Sequence, residues 1–473
     1  MKIKNLILVS TLILIISAWS CGDKKSKTEK QDEHLIEIAL NIANYSNDYI
    51  VATCNEQVDT VKVGEDGKYL YSTFLGQDSY LEIKIGRKRV LIYTKPKAEM
   101  QIEVDVQDFH NSLKFSGDYA EINNYLAKQS KLLFDAKPAS ENFIYAGDYS
   151  TFSNSFKKYD DESKNNLNKF VEANPNFEDF VILEKERQKL INTILYLSYY
   201  SPLVYTEQSD EALENEINSL INSTDKNNPK LLCLRIFYEY AETLIPYKLN
   251  LKYREAGIEN IDDAEYINDY FDLIGELFSE SEVYEAVFYS GLKSFIMYYG
   301  TESVSEQFSK YEDFSMNREH LSELNKIFAE YDKLKPGKPS IDWEFPDKDG
   351  KIYSSKDFAG KYIYIDVWAS WCGPCVRESK FYKEIATKFK GKNIAFVSIS
   401  VDENKDEWTN FIGNENNNIV NLWAGGWNND LCNFFKINSI PRFILIDKNG
   451  LIINANASNP SGDIEEVLNN LDL

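Results

Sequence analysis

Histidine and cysteine are both scarce in this chain, which has three histidines and six cysteines among its 473 residues. The histidines, His34, His110 and His320, are far apart, and only one Cys-x-x-Cys pair is present, at Cys372 and Cys375. A structural zinc site usually needs two such pairs of Cys or His ligands at similar spacing. The sequence therefore argues against a zinc site, and we predict no metal and no bound cofactor.

Positive charge is also in short supply, because 75 acidic residues outnumber 52 basic ones and the formal net charge is −23. This balance argues against a surface that binds nucleic acid or an anionic membrane.

Glycine-rich motifs that hold nucleotide phosphates are missing from the sequence. A c-type haem site would need histidine directly after Cys375, and Val376 stands there.

Two further motifs, a calcium loop and a peroxiredoxin pattern, are not matched by the sequence. Residues 402–406 have the opening spacing of a calcium loop, but Glu407 occupies the glycine position and Gly413 that of the final glutamate. We expect these residues to cap a helix that starts at Asn404. The pattern Pro-x-x-x-Thr/Ser-x-x-Cys, typical of peroxiredoxins, is absent before Cys372.

What the chain does contain is a Cys-Gly-Pro-Cys segment at 372–375, between an apolar run of strand type at 362–370 and a helical pattern at 376–390. This order places Cys372 at a helix N-terminus, where backbone N–H groups and the helix dipole favour a thiolate. The thiolate is the species that attacks disulfides. The pair is therefore placed for thiol–disulfide exchange.

The surrounding residues resemble a known family. Residues 366–375 resemble the active-site segment of thioredoxin, and residues 439–447 resemble its cis-proline segment. A hairpin-like stretch at 341–358, together with Glu378, is similar to the TlpA/ResA-like branch of exported thioredoxin-fold proteins. The resemblance covers about residues 336–473. It implies an α/β thioredoxin fold and activity as a thiol–disulfide oxidoreductase.

The chemistry of the pair and this resemblance together give each site residue an expected role. Cys372 should attack a substrate disulfide, and Cys375 should resolve the mixed disulfide that forms. Asp366 should be buried with a raised pKa and relay a proton to or from Cys375, although a purely structural acid is the alternative. Glu378 is a supporting residue. The residues expected to contact substrate are Trp371, Gly373, Pro374, Ile440 and Pro441.

The chain departs from the thioredoxin pattern at two places. Lys380 stands where the family often has a proline that kinks the active-site helix. The predicted strand at 393–401 carries no lysine, although thioredoxin places one near its buried aspartate. We therefore expect proton transfer at Cys375 to differ from that in thioredoxin.

The N-terminus reads as an export signal. Residues 1–20 combine two early lysines with an apolar core that is too short to span a bilayer comfortably. The small residues before Cys21 resemble a bacterial lipoprotein cleavage site, which implies a lipidated Cys21 followed by a flexible tether over 21–33. Ordinary cleavage near Ser20, which would release a soluble exported protein, is the alternative.

Export would place the chain in an oxidising compartment. With Cys21 assigned to lipid and the Cys-x-x-Cys pair to chemistry, three cysteines remain, Cys54, Cys233 and Cys432. They could form at most one more internal disulfide, and we expect three isolated buried thiols.

The remaining sequence predicts a multidomain chain. Residues 34–117 show short runs with period-two alternation, which predicts an all-β sandwich and resembles the N-terminal β-domain of many Bacteroidetes lipoproteins. Residues 118–334 show helical periodicity without a fixed repeat, and 335–339 reads as a linker. A thioredoxin-like α/β domain follows at 340–473.

These features predict a thiol–disulfide oxidoreductase of the cell envelope, periplasm-facing and anchored by lipid. The Gly-Pro dipeptide between the cysteines and the TlpA/ResA resemblance favour a protein that reduces disulfides of exported proteins and receives electrons from a membrane partner. A disulfide oxidant or isomerase is one alternative. A lipid-anchored binding protein without catalytic activity is another.

Overall fold

The computed structural model describes residues 34–54, 57–136, 148–204, 211–258, 260–413 and 418–473. The predicted signal peptide, the lipidation site at Cys21 and the tether lie outside these residues. The chain divides into two compact units, with the boundary between Ile258 and Glu259. None of the described helices is both long enough and apolar enough to cross a membrane.

Strands form the first part of the first unit. Those described are β1 Leu35–Ala43, β2 Tyr49–Cys54, β3 Gln57–Lys62, β4 Tyr69–Phe74, β5 Ser79–Ile85, β6 Lys88–Thr94, β7 Glu99–Asp105 and β8 Lys114–Gly117. One sheet has the order β4-β1-β7-β8, with β1 and β7 parallel, and the other has the antiparallel order β3-β2-β5-β6. Inward residues of both sheets, such as Ile38 and Ile83, share one core. The predicted all-β sandwich is confirmed.

Helices make up the rest of the first unit. They are α1 Phe109–Ser112, α2 Ala120–Ala136, α3 Tyr149–Ala173, α4 Glu178–Tyr200, α5 Glu211–Ser223 and α6 Arg235–Ala256. Helix α2 packs on α3, and α4 packs on α6. In α4, Glu184 and Arg187 form a buried ion pair, and the Tyr125 hydroxyl of α2 donates a 2.9 Å hydrogen bond to Glu184. The predicted helical region is therefore present.

The second unit begins with further helices, α7 Asp263–Leu277, α8 Ser281–Tyr299, α9 Ser305–Phe314 and α10 Arg318–Tyr331. Asn317 separates α9 from α10, because its side chain accepts hydrogen bonds from the backbone N–H groups of Glu319 and His320. This is the contact of an N-cap residue, which starts a new helix.

The segment predicted as a linker, 335–339, pairs with the C-terminal sheet. The Gly337 N–H donates to the Ile452 carbonyl, and the Ile452 N–H donates to the Lys338 carbonyl, both over 2.8 Å. These bonds satisfy backbone groups that would otherwise face water at the sheet edge. The segment is therefore a paired extension of the C-terminal domain and not a free linker.

A hairpin and a five-stranded sheet follow. The strands are β9 Glu344–Pro346 and β10 Ile352–Ser354 in the hairpin, then β11 Tyr362–Trp368, β12 Ile394–Ser400, β13 Ile419–Trp423, β14 Arg442–Ile446 and β15 Ile452–Asn454. The sheet order is β13-β12-β11-β14-β15, with β11, β12 and β13 parallel and β14 and β15 antiparallel to their neighbours. Strand β11 is central, and every residue of it is buried.

Helices cover both faces of this sheet. They are α11 Gly373–Lys388, α12 Lys405–Ile412, α13 Asp430–Phe434 and α14 Ile464–Asn469. Tyr382 of α11 and Leu468 of α14 share one core with Tyr364 of β11. Trp408 of α12 and Leu431 of α13 belong to a second core on the other face. The predicted α/β architecture of the C-terminal domain is confirmed.

Candidate active site

The two cysteines lie where β11 gives way to α11. Cys372 is the N-cap residue of the helix, Cys375 lies in its first turn, and a disulfide joins their sulfur atoms. The backbone N–H of Cys375 points at the Cys372 sulfur over 3.2 Å. This N–H and the helix dipole would stabilise negative charge on Cys372 after reduction.

The disulfide lies just below the surface. Cys372 is 5% exposed and Cys375 is 2% exposed, whereas Trp371 is 43% exposed. Gly373 and Pro374 are exposed as well. The surface residues predicted around the pair therefore do surround it, and a partner would reach the sulfur atoms across them.

The predicted cis-proline segment faces the same pair. The peptide bond between Ile440 and Pro441 is cis, and both residues are half-buried. The carbonyl oxygen of Ile440 lies 3.8 Å from the Cys372 sulfur. Ile440 thus brings a backbone edge to the first cysteine, and such an edge can pair with an extended chain.

Asp366 is buried in the middle of β11, with Ser398 of β12 and Phe443 of β14 beside it in register. Burial raises the pKa of Asp366 to about 8, and the nearby charge of Glu378 adds to this rise. A hydrogen bond from Ser398 partly opposes the rise in pKa. The expectation of a buried carboxyl with a raised pKa is confirmed.

A small cavity of about 40 Å³ touches Asp366, and Ser379 and Lys383 of α11 also line it. A volume of this size accommodates a water molecule. The cavity therefore leaves room beside the Asp366 carboxyl for a water molecule that can carry a proton.

Glu378 lies one turn beyond Cys375 and binds a loop. Its carboxylate accepts hydrogen bonds from the backbone N–H of Ser461 at 3.0 Å and from the Ser461 hydroxyl at 2.7 Å. Ser461 precedes α14. Glu378 thus connects the active-site helix to the loop before α14.

The structure also reveals a residue that sequence reasoning assigned differently. Asp402 was expected to help cap a helix, but Asn404 caps α12 through the Asp406 N–H. The Asp402 carboxylate is fully buried and accepts the backbone N–H of Ser370 at 2.9 Å and the Ser370 hydroxyl at 2.8 Å. The Ser400 hydroxyl donates a further bond of 2.6 Å. Asp402 therefore anchors the loop that leads into Cys372. An acid two residues after the end of the buried strand β12 was the available signal.

The three remaining cysteines of the described chain are free thiols. Cys54 and Cys432 are buried, as predicted, whereas Cys233 is only half-buried. Burial raises the pKa of Cys432, which makes this thiol less reactive. Within the described residues, no cluster of His, Cys, Asp and Glu could hold a metal ion.

Comparison with known proteins agrees with this site. Residues 360–452 match a family described as thioredoxin-like. The thiol-disulfide oxidoreductase ResA of Bacillus cereus (strain ATCC 10987 / NRS 248) is 28% identical over 127 residues, which are 27% of this chain and 72% of that protein.

Solved structures from Bacteroides vulgatus are similar to the same domain. One protein, assigned as a thiol-disulfide oxidoreductase, is 39% identical, and the match covers 29% of this chain and 96% of that one with a TM-score of 0.27. The thioredoxin domain of another thiol-disulfide oxidoreductase is 25% identical over 29% of this chain and 96% of its own, with a TM-score of 0.26. The C-terminal domain of this chain is therefore thioredoxin-like, and it is similar to thiol–disulfide oxidoreductases of the TlpA/ResA-like type.

Proposed function

We propose that this protein reduces disulfides of exported proteins in the cell envelope, using Cys372 and Cys375. One observation carries the proposal: the Cys372 sulfur is at the N-terminus of α11 and 3.8 Å from the Ile440 carbonyl oxygen. The helix end favours the thiolate, and the backbone at Ile440 offers a docking edge for an extended substrate.

The reaction is a double exchange. The Cys372 thiolate attacks one sulfur of the substrate disulfide, and the other substrate sulfur leaves as a thiolate. Deprotonated Cys375 then attacks the Cys372 sulfur and displaces the second substrate sulfur as a thiolate. The substrate gains two electrons, and the protein ends with the Cys372–Cys375 disulfide.

Asp366 is the proposed proton relay for Cys375. With a pKa of about 8, its carboxyl group lies close to the ordinary thiol value of about 8.5. A carboxyl with a pKa raised this far can both hold and release a proton near neutral pH. Asp366 is therefore suited both to take a proton from Cys375 and to return it.

A donor must restore the thiols after each cycle by supplying two electrons and two protons. We propose a membrane partner as this donor, with the protein held at the membrane by a lipidated Cys21 after removal of residues 1–20. A fatty-acid probe should label the wild type and not Cys21→Ala. An unlabelled wild type that is released from cells would contradict the anchor.

The function itself is tested by trapping. Cys375→Ser should accumulate mixed disulfides between Cys372 and exported proteins in the native envelope, because the resolving thiol is missing. The Cys372→Ser, Cys375→Ser double variant is the control and should accumulate none. Without adducts in the single variant, and with a Cys372 thiol of ordinary pKa, the binding-protein alternative becomes the better one.

A further inference from the structure

A cavity of about 620 Å³ lies within the second compact unit, beside the cis-proline segment. Helix α8 and the residues after it form one wall, and residues 453–462 form another. Arg442, the residue directly after Pro441, completes the lining. Ligand sites commonly have volumes of about 300–1,000 Å³, so a peptide segment fits here and a lone inorganic anion would fill only a small part.

Arg442 is the cation of this cavity that lacks a partner. Within the described residues, its guanidinium group makes neither an ion pair nor a hydrogen bond. Burial lowers the pKa of Arg442. Electrostatic interactions with the hydroxyl groups of Tyr331 and Tyr298 partly oppose this change. A half-buried cation without a counter-ion is costly, and an anionic ligand would remove that cost.

The other cation of the lining provides a contrast. Lys335 pairs with Asp332 over 2.5 Å, so its charge is already compensated. Two acids, Asp263 and Glu302, also line the cavity, and both are exposed. These two charges would repel a run of acidic residues. The lining therefore suits a ligand with a single carboxylate directed at Arg442.

The cavity adjoins the site of chemistry. The Ile440 carbonyl oxygen is 3.8 Å from the Cys372 sulfur, and Arg442 is two residues further along the chain. Two residues of an extended strand span about 7 Å. Ser461, which also lines the cavity, is bound by Glu378 of the active-site helix. A chain docked at Ile440 would therefore pass the mouth of the cavity.

We propose that the cavity binds an acidic side chain of an extended polypeptide substrate, about two residues from the reacting cysteine, through an ion pair with Arg442. The inference rests on the proposed function and specifies its substrate class. On this proposal, the cavity favours substrates with one carboxylate near the disulfide and disfavours substrates with several acidic residues there.

The test uses the full chain and three synthetic peptides with the same disulfide. They carry glutamate, glutamine or lysine two positions from the reacting cysteine. Wild type should reduce the glutamate peptide with roughly tenfold higher kcat/KM than the glutamine peptide, and the lysine peptide should be poorest. Arg442→Gln should abolish this preference, and Arg442→Lys should restore part of it.

Lys335→Gln is the matched control, because it removes a cation from the same cavity that is already paired. It should keep the preference for glutamate. Equal rates on all three peptides with the wild type, or an unchanged preference in Arg442→Gln, would overturn the inference and leave the reductase function standing. Reduction of none of the peptides would count against the proposed function instead.

A binding measurement tests the inference even if the protein reduces none of the peptides. Oxidised wild type is titrated calorimetrically with peptides in which serine replaces each cysteine. The glutamate peptide should bind about tenfold more tightly than the glutamine peptide, and Arg442→Gln should remove the difference. Equal affinities in wild type, or full competition by inorganic phosphate at similar concentration, would contradict a peptide carboxylate site.

Discussion

Cys372 and Cys375 share one disulfide, but their surroundings differ. Cys372 is the N-cap and receives the Cys375 N–H at 3.2 Å, next to the exposed side chain of Trp371. Cys375 is 2% exposed and faces the core. Only the first sulfur combines a stabilised anion with a route to solvent.

Alkylation should reveal this difference. After reduction, iodoacetamide near neutral pH should modify Cys372 about tenfold faster than Cys375, because the helix end lowers the pKa of the first thiol. Mass spectrometry of digested protein at successive times gives both rates. The buried Cys432 thiol is an internal control and should react slowly. Equal rates at the pair, or faster labelling of Cys375, would reverse the assigned roles.

Asp366 should make stability depend on pH. Its pKa is about 8 in the folded protein and near 3.8 when exposed, so the folded state binds the extra proton between these values. Stability should then fall as pH rises through this window. Relative to Asp366→Asn, which cannot titrate, the wild type should lose about 4 kcal/mol of unfolding free energy between pH 5 and pH 8.

Ser398→Ala is the partner variant for this experiment. Removing the hydrogen bond that opposes the raised pKa of Asp366 should extend the loss of stability to higher pH, because only the folded-state pKa rises. Asp366→Asn should also slow resolution of the mixed disulfide by about a hundredfold while leaving Cys372 alkylation unchanged. If only stability changes, Asp366 is a structural acid and not a proton relay.

At the scale of elements, Asp402 connects the end of β12 to the loop between β11 and α11. Replacing it with asparagine removes the charge that accepts the Ser370 N–H and hydroxyl. Asp402→Asn should lower the unfolding free energy of the C-terminal domain by about 2 kcal/mol. Asp406→Asn, an exposed acid of the same segment, should change it by less than about 0.5 kcal/mol.

Tryptophan fluorescence can follow this unfolding, because six of the seven tryptophans lie in the C-terminal domain. They are Trp343, Trp368, Trp371, Trp408, Trp423 and Trp427. Denaturation midpoints that are the same for Asp402→Asn and Asp406→Asn would show that the buried network does not hold the loop.

The sequence predicted elements whose signals are local. The apolar run of β11 and the Cys-x-x-Cys pair at the start of α11 are continuous in sequence, so their relation could be inferred. Strand β13 was not predicted, because it is only partly buried and polar Asn421 interrupts its apolar residues. The hydrogen bonds between Asp402 and Ser370, and the cavity around Arg442, depend on residues far away in sequence, so no local pattern indicates them.

For the whole molecule, the central question is the direction of electron flow. A Gly-Pro dipeptide separates the cysteines, with no histidine to stabilise the reduced form strongly. The full-length protein should therefore have a reduction potential nearer about −270 mV, the thioredoxin value, than about −120 mV, the DsbA value. Equilibration with dithiothreitol or glutathione, read by mass after alkylation, measures it. A value close to that of DsbA would favour the alternative function of this protein as a disulfide oxidant.

The segment 335–339 likewise has a role that local sequence patterns do not reveal. Proline and glycine at 335–339 predicted a stiff, turn-rich linker between domains, because these residues are typical of turns. The pairing of Gly337 with Ile452 depends on a partner more than a hundred residues away, which composition does not reveal. Helices α7 to α10 accordingly fall in the same compact unit as the C-terminal domain.

The pairing of 335–339 along β15 also bears on aggregation. An unpaired edge strand presents free N–H and C=O groups, to which a strand of another molecule can add. Here Gly337, Lys338 and Ser340 use the outer edge of the segment 450–452, so that edge is already occupied. A domain cut out at residue 340 would uncover it and invite edge-to-edge association between copies. The natural place to separate this domain for study is therefore before residue 335.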